Sequence, residues 1–154
     1  MSGFVLVANL RNVTGSLERF LGLLRRRNFP VEHLSIYHVP ENIFEVVVRF
    51  GDIDMARERV VAEVESLFDV LSVSLPEPQL CEDTRELAVV RIRRDLEASP
   101  EMPGDVLARR SSDSIELFGT SNEIDEALTH LRDQGVIVAV SRSGEMFPPN
   151  PHKH

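Results

Sequence analysis

Apolar residues crowd the run from Phe4 to Leu10, and the pattern then changes period. The run over residues 3–10 reads as a strand. After the turn Asn12-Val13-Thr14-Gly15-Ser16-Leu17, the residues Leu17, Phe20, Leu21 and Leu24 recur at helical spacing. This predicts a helix over residues 14–27, with Thr14 as its N-cap. Glu18 falls in its first turn and Arg25, Arg26 and Arg27 in its last, both placements that suit the helix dipole. Asn28-Phe29-Pro30 breaks the helix. Val31 to Val39 then alternates as a strand, with Val31, His33, Ser35 and Tyr37 on one face and Leu34, Ile36 and His38 on the other. Pro40-Glu41-Asn42 is a turn signal, and Ile43 to Phe50 is β-branched and aromatic, so the two strands make a hairpin. Ile53, Ala56, Val60, Val64 and Leu67 return to helical spacing, with Asp52 or Asp54 as the expected cap. Val70 to Leu75 closes the unit as a strand. The order is β-α-β-β-α-β, the ferredoxin-like pattern in which two helices cover one face of a four-stranded antiparallel sheet.

A second, smaller unit follows. Residues 77–84 are polar and proline-bearing and read as a linker, separating a domain of residues 1–76 from one of residues 85–144. Glu86 to Ile92 is a strand, residues 94–104 are irregular, Val106 to Arg109 is a short strand and Ser114 to Phe118 a firmer one. Gly119-Thr120 turns the chain into a helix capped by Ser121, carrying Ile124, Ala127, Leu128 and Leu131 inward and ending at Gly135. Val136 to Val140 is the last strand. This half echoes the first with one helix missing, a truncated ferredoxin-like pattern. The fold class is therefore α+β. Residues 145–154, with Pro148, Pro149 and Pro151, read as a loose tail.

Charge narrows the function. The 154 residues hold 17 Lys and Arg against 25 Asp and Glu, a net charge of -8. Binding to a phosphate backbone needs a net basic face, so nucleic acid is not the expected partner. No apolar run approaches a membrane span, and no signal-peptide layout opens the chain. The one cysteine, Cys81, has no partner for an internal disulfide and is followed by Glu82 and Asp83, a poor setting for a nucleophile. The expectation is a soluble cytoplasmic protein.

The stretch with the most chemistry is the first strand–turn–helix. A helix that opens on glycine presents bare backbone N–H groups with the positive end of the dipole behind them, a setting for a carboxylate. Gly15 has no side chain to obstruct a ligand, and Asn12 adds an amide. The same residues also serve simply to start a helix. Other candidates are weaker. Arg25, Arg26 and Arg27 fit a solvated helix end. His33 and His38 have opposite parity and face apart. His152 and His154 sit on the tail, where two histidines make a poor metal site.

These pieces resemble the small, regulatory subunit of acetolactate synthase, a family with an N-terminal ACT domain and a smaller C-terminal domain. The likeness rests on Asn12, Gly15 and Leu17 as the family's Asn-x-x-Gly-x-Leu turn. It rests also on Leu67-Phe68-Asp69-Val70-Leu71-Ser72-Val73 entering the fourth strand, on Gly119-Thr120-Ser121, and on Val138-Ala139-Val140-Ser141-Arg142-Ser143-Gly144. It spans residues 3–144. The resemblance implies a non-catalytic subunit that activates a thiamine-diphosphate-dependent catalytic large subunit. It also implies a homodimer of ACT domains with a branched-chain amino acid, valine-like, bound between them. The effector carboxylate would meet the N–H groups of Gly15 and Ser16 and the amide of Asn12. Its ammonium would meet Pro30 and Val31 of the partner, and Leu10, Leu17 and Ile36 would line the side-chain pocket. Thiamine diphosphate, magnesium and flavin belong, on this resemblance, to the catalytic partner, with no cofactor in this chain.

The sequence also departs from the family. Pro30 stands where asparagine is usual, which removes a side-chain amide and a backbone N–H from one arm of recognition. Arg11 and Val13 replace acidic residues beside the turn, and the segment between Ile92 and Gly104 lacks the family's helix.

Overall fold

The structure is a computed structural model describing residues 3–77, 84–95, 100–103 and 106–147. The expectations for Cys81, for most of the 77–84 linker and for His152 and His154 fall outside those residues. The chain divides into two compact units, Met1–Glu77 and Pro78–His154.

The first unit runs β1 (Phe4–Arg11), α1 (Ser16–Arg26), β2 (Val31–Val39), β3 (Ile43–Phe50), α2 (Arg57–Glu65) and β4 (Val70–Ser74). Its strands lie in the order β2-β3-β1-β4, every neighbouring pair antiparallel. That is the ferredoxin-like arrangement expected from the pattern. Alternation sends Phe4, Leu6, Ala8 and Leu10 of β1 inward with Val46, Val48 and Phe50 of β3, against Phe20, Leu23 and Leu24 of α1 and Val60 and Val64 of α2. Each such buried Val, Leu or Phe side chain contributes about 1.5–3 kcal/mol. The Phe50 ring anchors the layer, with its centroid 5.2 Å from that of Phe4 and 5.7 Å from that of Phe29. The β2–β3 hairpin turns through Glu41 and Asn42, both left-handed at φ 67° and 60°.

Two details differ from the periodicity. In α1 it is Leu23 that turns inward and Leu21 that stays exposed, because 100° per residue puts Phe20, Leu23 and Leu24 on one face. The second helix begins at Arg57, capped by the backbone of Ala56 with no side-chain bond, and neither Asp52 nor Asp54 caps it. Ile53 is buried and Met55 packs on the core from an irregular segment. Both fill the same core as the helix, so their spacing imitates an extra helical turn.

The second unit runs β5 (Glu86–Ile92), β6 (Leu107–Arg110), β7 (Ser114–Gly119), α3 (Ser121–Asp133) and β8 (Ile137–Arg142), in the order β6-β7-β5-β8. With β5, β6, β7 and β8 standing for β1, β2, β3 and β4, this repeats the first sheet. Ala88, Val90, Ile115 and Leu117 pack against Ile124, Ala127, Leu128 and Leu131 of α3. Between β5 and β6, the described residues 93–95, 100–103 and 106 form no helix, and of these Met102 and Val106 pack against the core. Gln134 makes two bonds to the Glu101 backbone, accepting from its N–H at 3.3 Å and donating to its carbonyl at 3.1 Å. Thr120, rather than Ser121, caps α3, and Gly135 ends it at φ 67°.

Candidate effector site

β1 delivers the chain to the turn at Arg11, and Asn12 is fixed there by Asn42. The Asn12 N–H donates to the Asn42 carbonyl at 2.9 Å. The Asn12 amide donates to Asn42 Oδ1 at 3.0 Å, and Asn42 Nδ2 donates back to the Asn12 carbonyl at 3.1 Å. Gly15 then takes a left-handed conformation at φ 83° and forms the N-cap of α1 with no side-chain cap bond. An L side chain is strained in that conformation, so glycine is what the turn requires. The Ser16 N–H folds back to the Val13 carbonyl at 3.1 Å, and the Arg19 N–H closes on the Gly15 carbonyl at 3.0 Å. No side chain among the described residues accepts from the N–H of Gly15, Leu17 or Glu18. The Ser16 hydroxyl is buried without a partner.

An arginine lies over this opening. Arg19, one turn into α1, donates from Nε to Asp69 Oδ2 at 2.6 Å and from Nη2 to the Thr14 carbonyl at 3.3 Å. Its Nη1 stands 2.6 Å from where a Cβ on Gly15 would lie. The buried Asp69 carboxylate is half of a clamp, and its hydrogen bond raises the Arg19 pKa further above its ordinary value. The turn therefore offers backbone donors and a fixed guanidinium, a setting for an anion. Arg19, Asp69 and Asn42 are absent from the residues expected in the sequence. Asp69 is 50 positions from Arg19, and no local pattern connects them.

The remaining expected residues lie elsewhere on the first unit. Leu10 is wholly buried in the core and Leu17 packs against it. Pro30, Val31 and Ile36 belong to the β2 side. Val31 pairs with Phe50, which pairs with Phe4, so Pro30 and Val31 sit at the end of the sheet away from the turn. One protomer does not bring the two groups together. The Pro30 carbonyl accepts from the Gly51 N–H at 2.8 Å, and the Val31 N–H donates to the Phe29 carbonyl at 3.0 Å. β2 is nevertheless an edge strand, with Val31 and Ile36 exposed and Leu21 of α1 exposed as well. A shallow cleft lined by Leu21, Leu24, Phe29, Val31 and Leu34 runs along it.

The second unit carries an ionic cluster at the segments singled out in the sequence. Arg142 grips the buried Glu86 with two bonds of 2.6 Å, and Ser121 Oγ donates to Glu86 Oε2 at 3.0 Å. Arg142 also reaches Asp125 at 2.5 Å. The Arg142 hydrogen bonds hold the Glu86 carboxyl below its ordinary range and raise the pKa of Arg142. All its partners are internal, so it joins α3, β5 and β8 rather than offering a site. Among the described residues no three His, Cys, Asp or Glu gather where a metal could bind, and no helix is long and apolar enough to cross a membrane.

No family model matches the chain. Curated relatives do. The acetolactate synthase isozyme 3 small subunits of Salmonella typhimurium and Escherichia coli are each 29% identical over 150 residues, covering 91% of this chain and 91% of the relative. The acetolactate synthase small subunit of Haemophilus influenzae is 25% identical over 151 residues, with 91% of each chain covered. The crystal structure of the acetolactate synthase small subunit from Thermotoga maritima superposes with a TM-score of 0.76 over 97% of this chain and 99% of that one, at 18% identity, and so shares the fold. The similarity runs through both units, and the chain is a homologue, over about nine-tenths of its length, of acetolactate synthase small subunits.

Proposed function

We propose that this chain is the non-catalytic regulatory subunit of a thiamine-diphosphate-dependent acetolactate synthase in the cytoplasm. It would bind the catalytic large subunit, raise its turnover and relay feedback from a branched-chain amino acid of the valine type. The observation that carries the reading is the similarity to small subunits through both units. The effector carboxylate would lie at the opening of α1, against the free Gly15 N–H and the amide of Asn12. Two copies would pair along β2. Antiparallel pairing of two edge strands would set the Val31 end of one beside the Val39 end of the other, and so bring Pro30 and Val31 of one copy toward the turn of its partner. Binding across that seam would shift the dimer between states that support the catalytic subunit differently.

Co-expression with the large subunit from the same genome tests this. The two chains are expected to copurify, with turnover above that of the large subunit alone and reduced by valine. A pair that neither copurifies nor changes turnover would overturn the assignment. One observation favours a second reading, a regulator that has lost its effector or changed it. Pro30 has no N–H and its carbonyl is engaged by Gly51, while the Val31 N–H is engaged by Phe29. Calorimetry against a panel of amino acids separates the two: a branched-chain ligand supports the first, and another ligand or none supports the second.

A further inference from the structure

The space that Gly15 leaves is already taken. Arg19 Nη1 stands 2.6 Å, and the Arg19 guanidinium carbon 3.4 Å, from where a Cβ on Gly15 would lie. Glycine at this position therefore makes room for a guanidinium as well as for a left-handed backbone. That guanidinium is held by its other two nitrogens. Nε donates to the buried Asp69 carboxylate at 2.6 Å, and Nη2 donates to the Thr14 carbonyl at 3.3 Å. Nη1 has no hydrogen-bond partner among the described residues. The same turn holds a second unmet polar group. The Ser16 hydroxyl, on the first residue of α1, is buried without a partner, and a buried polar atom of that kind needs an explanation. Two carboxylates act on the guanidinium, Asp69 and Glu18. Asp69 occupies Nε and Glu18 forms no hydrogen bond with Arg19, so neither is bonded to Nη1.

Charge separates the donors at this turn. The Asn12 amide is neutral and already donates to Asn42 Oδ1 at 3.0 Å. The backbone N–H groups are neutral too. Neutral donors bond an amide oxygen as well as a carboxylate oxygen, so they recognise shape and not charge. A guanidinium bonded to a carboxylate is about twice as strong as a neutral pair. Resting on the effector reading above, we infer that Arg19 Nη1 receives the effector carboxylate, with Asp69 as the positioning residue that keeps the guanidinium over Gly15. The site then selects a free amino acid over its amide, and so over the same residue in a peptide.

Calorimetry on the full chain with valine and valinamide provides the test. The wild type is expected to prefer valine by about thirtyfold or more, the scale of a charged hydrogen bond. Arg19→Gln should lower valine affinity about tenfold or more and leave valinamide within about twofold, so that the preference closes. This variant leaves the buried Asp69 unpaired. Arg19→Gln/Asp69→Asn, which removes both charges, is therefore measured beside it and should show the same lost selectivity. A wild type without the preference would overturn the inference, and so would a preference unchanged in both variants. An equal loss of the two ligands would overturn it as well, since that is the mark of a structural role. Each of these results leaves the effector reading standing. Absence of valine binding by the wild-type chain would overturn the valine reading and this inference with it.

Discussion

The two units lay four strands in one order, yet their helices begin in opposite ways. At the start of α3, Thr120 accepts from the Glu123 N–H at 3.3 Å, and Glu123 accepts from the Thr120 N–H at 2.6 Å, a complete capping box. The helix closes its own amides, and Glu123 is held below its ordinary carboxylate range by that backbone bond. At the start of α1 the cap is Gly15 in a left-handed conformation, with no side chain closing the turn. A capping side chain satisfies the free N–H groups of a helix and removes them from use. The second unit has taken that stability. The first leaves them without a side-chain cap among the described residues, with the Arg19 guanidinium beside them. The same strand order thus carries one helix start closed by its own side chains and one left open beside a guanidinium.

The largest effect is expected where the open turn is filled. Gly15→Ala puts a Cβ 2.6 Å from Arg19 Nη1 and asks alanine to adopt φ 83°. Calorimetry should show effector affinity down by about thirtyfold or more, the loss of a charged hydrogen bond or two. Denaturation should show a cost of about 1 kcal/mol. Next is the ionic cluster of the second unit. Arg142→Ala strands the buried Glu86 and is expected to cost about 2 kcal/mol in urea unfolding at neutral pH. The sign with pH follows from the lowered Glu86 pKa. Its stabilisation is present above the ordinary value of 4.5 and lost as acid protonates the carboxylate below that value. The gap between wild type and variant should therefore close in acid.

The comparison was partly legible in the sequence. Alternation in β1 and β3, the turn at Gly15 and the break at Gly135 are local, and each follows from neighbouring residues. What connects distant parts did not. Arg19 and Asp69 meet only because β4 pairs with β1 and brings Asp69 beside the turn before α1, and Glu86 and Arg142 only because β5 pairs with β8. Cap positions were misplaced by one residue at both Thr14 and Ser121: α1 is capped by Gly15, which has no side chain, and at α3 either of the adjacent hydroxyls of Thr120 and Ser121 satisfies the pattern. Leu10 was expected at a pocket and lies in the core, because its alternation with Leu6 and Ala8 places it there.

Two smaller effects sharpen the contrast. Thr120→Ala opens the α3 start and is expected to cost about 1 kcal/mol, with no change in effector affinity. Ala56→Ser supplies the side-chain cap that α2 lacks. It should add about 0.5 kcal/mol, read as a melting temperature a few degrees higher.

The most direct measurement of the central claim is titration of valine, leucine and isoleucine into the wild-type chain and into Gly15→Ala by calorimetry. The account predicts saturable binding of at least one of them to the wild type and little or none to the variant, both folded. No heat from any of the three, or equal affinity in both proteins, would contradict it.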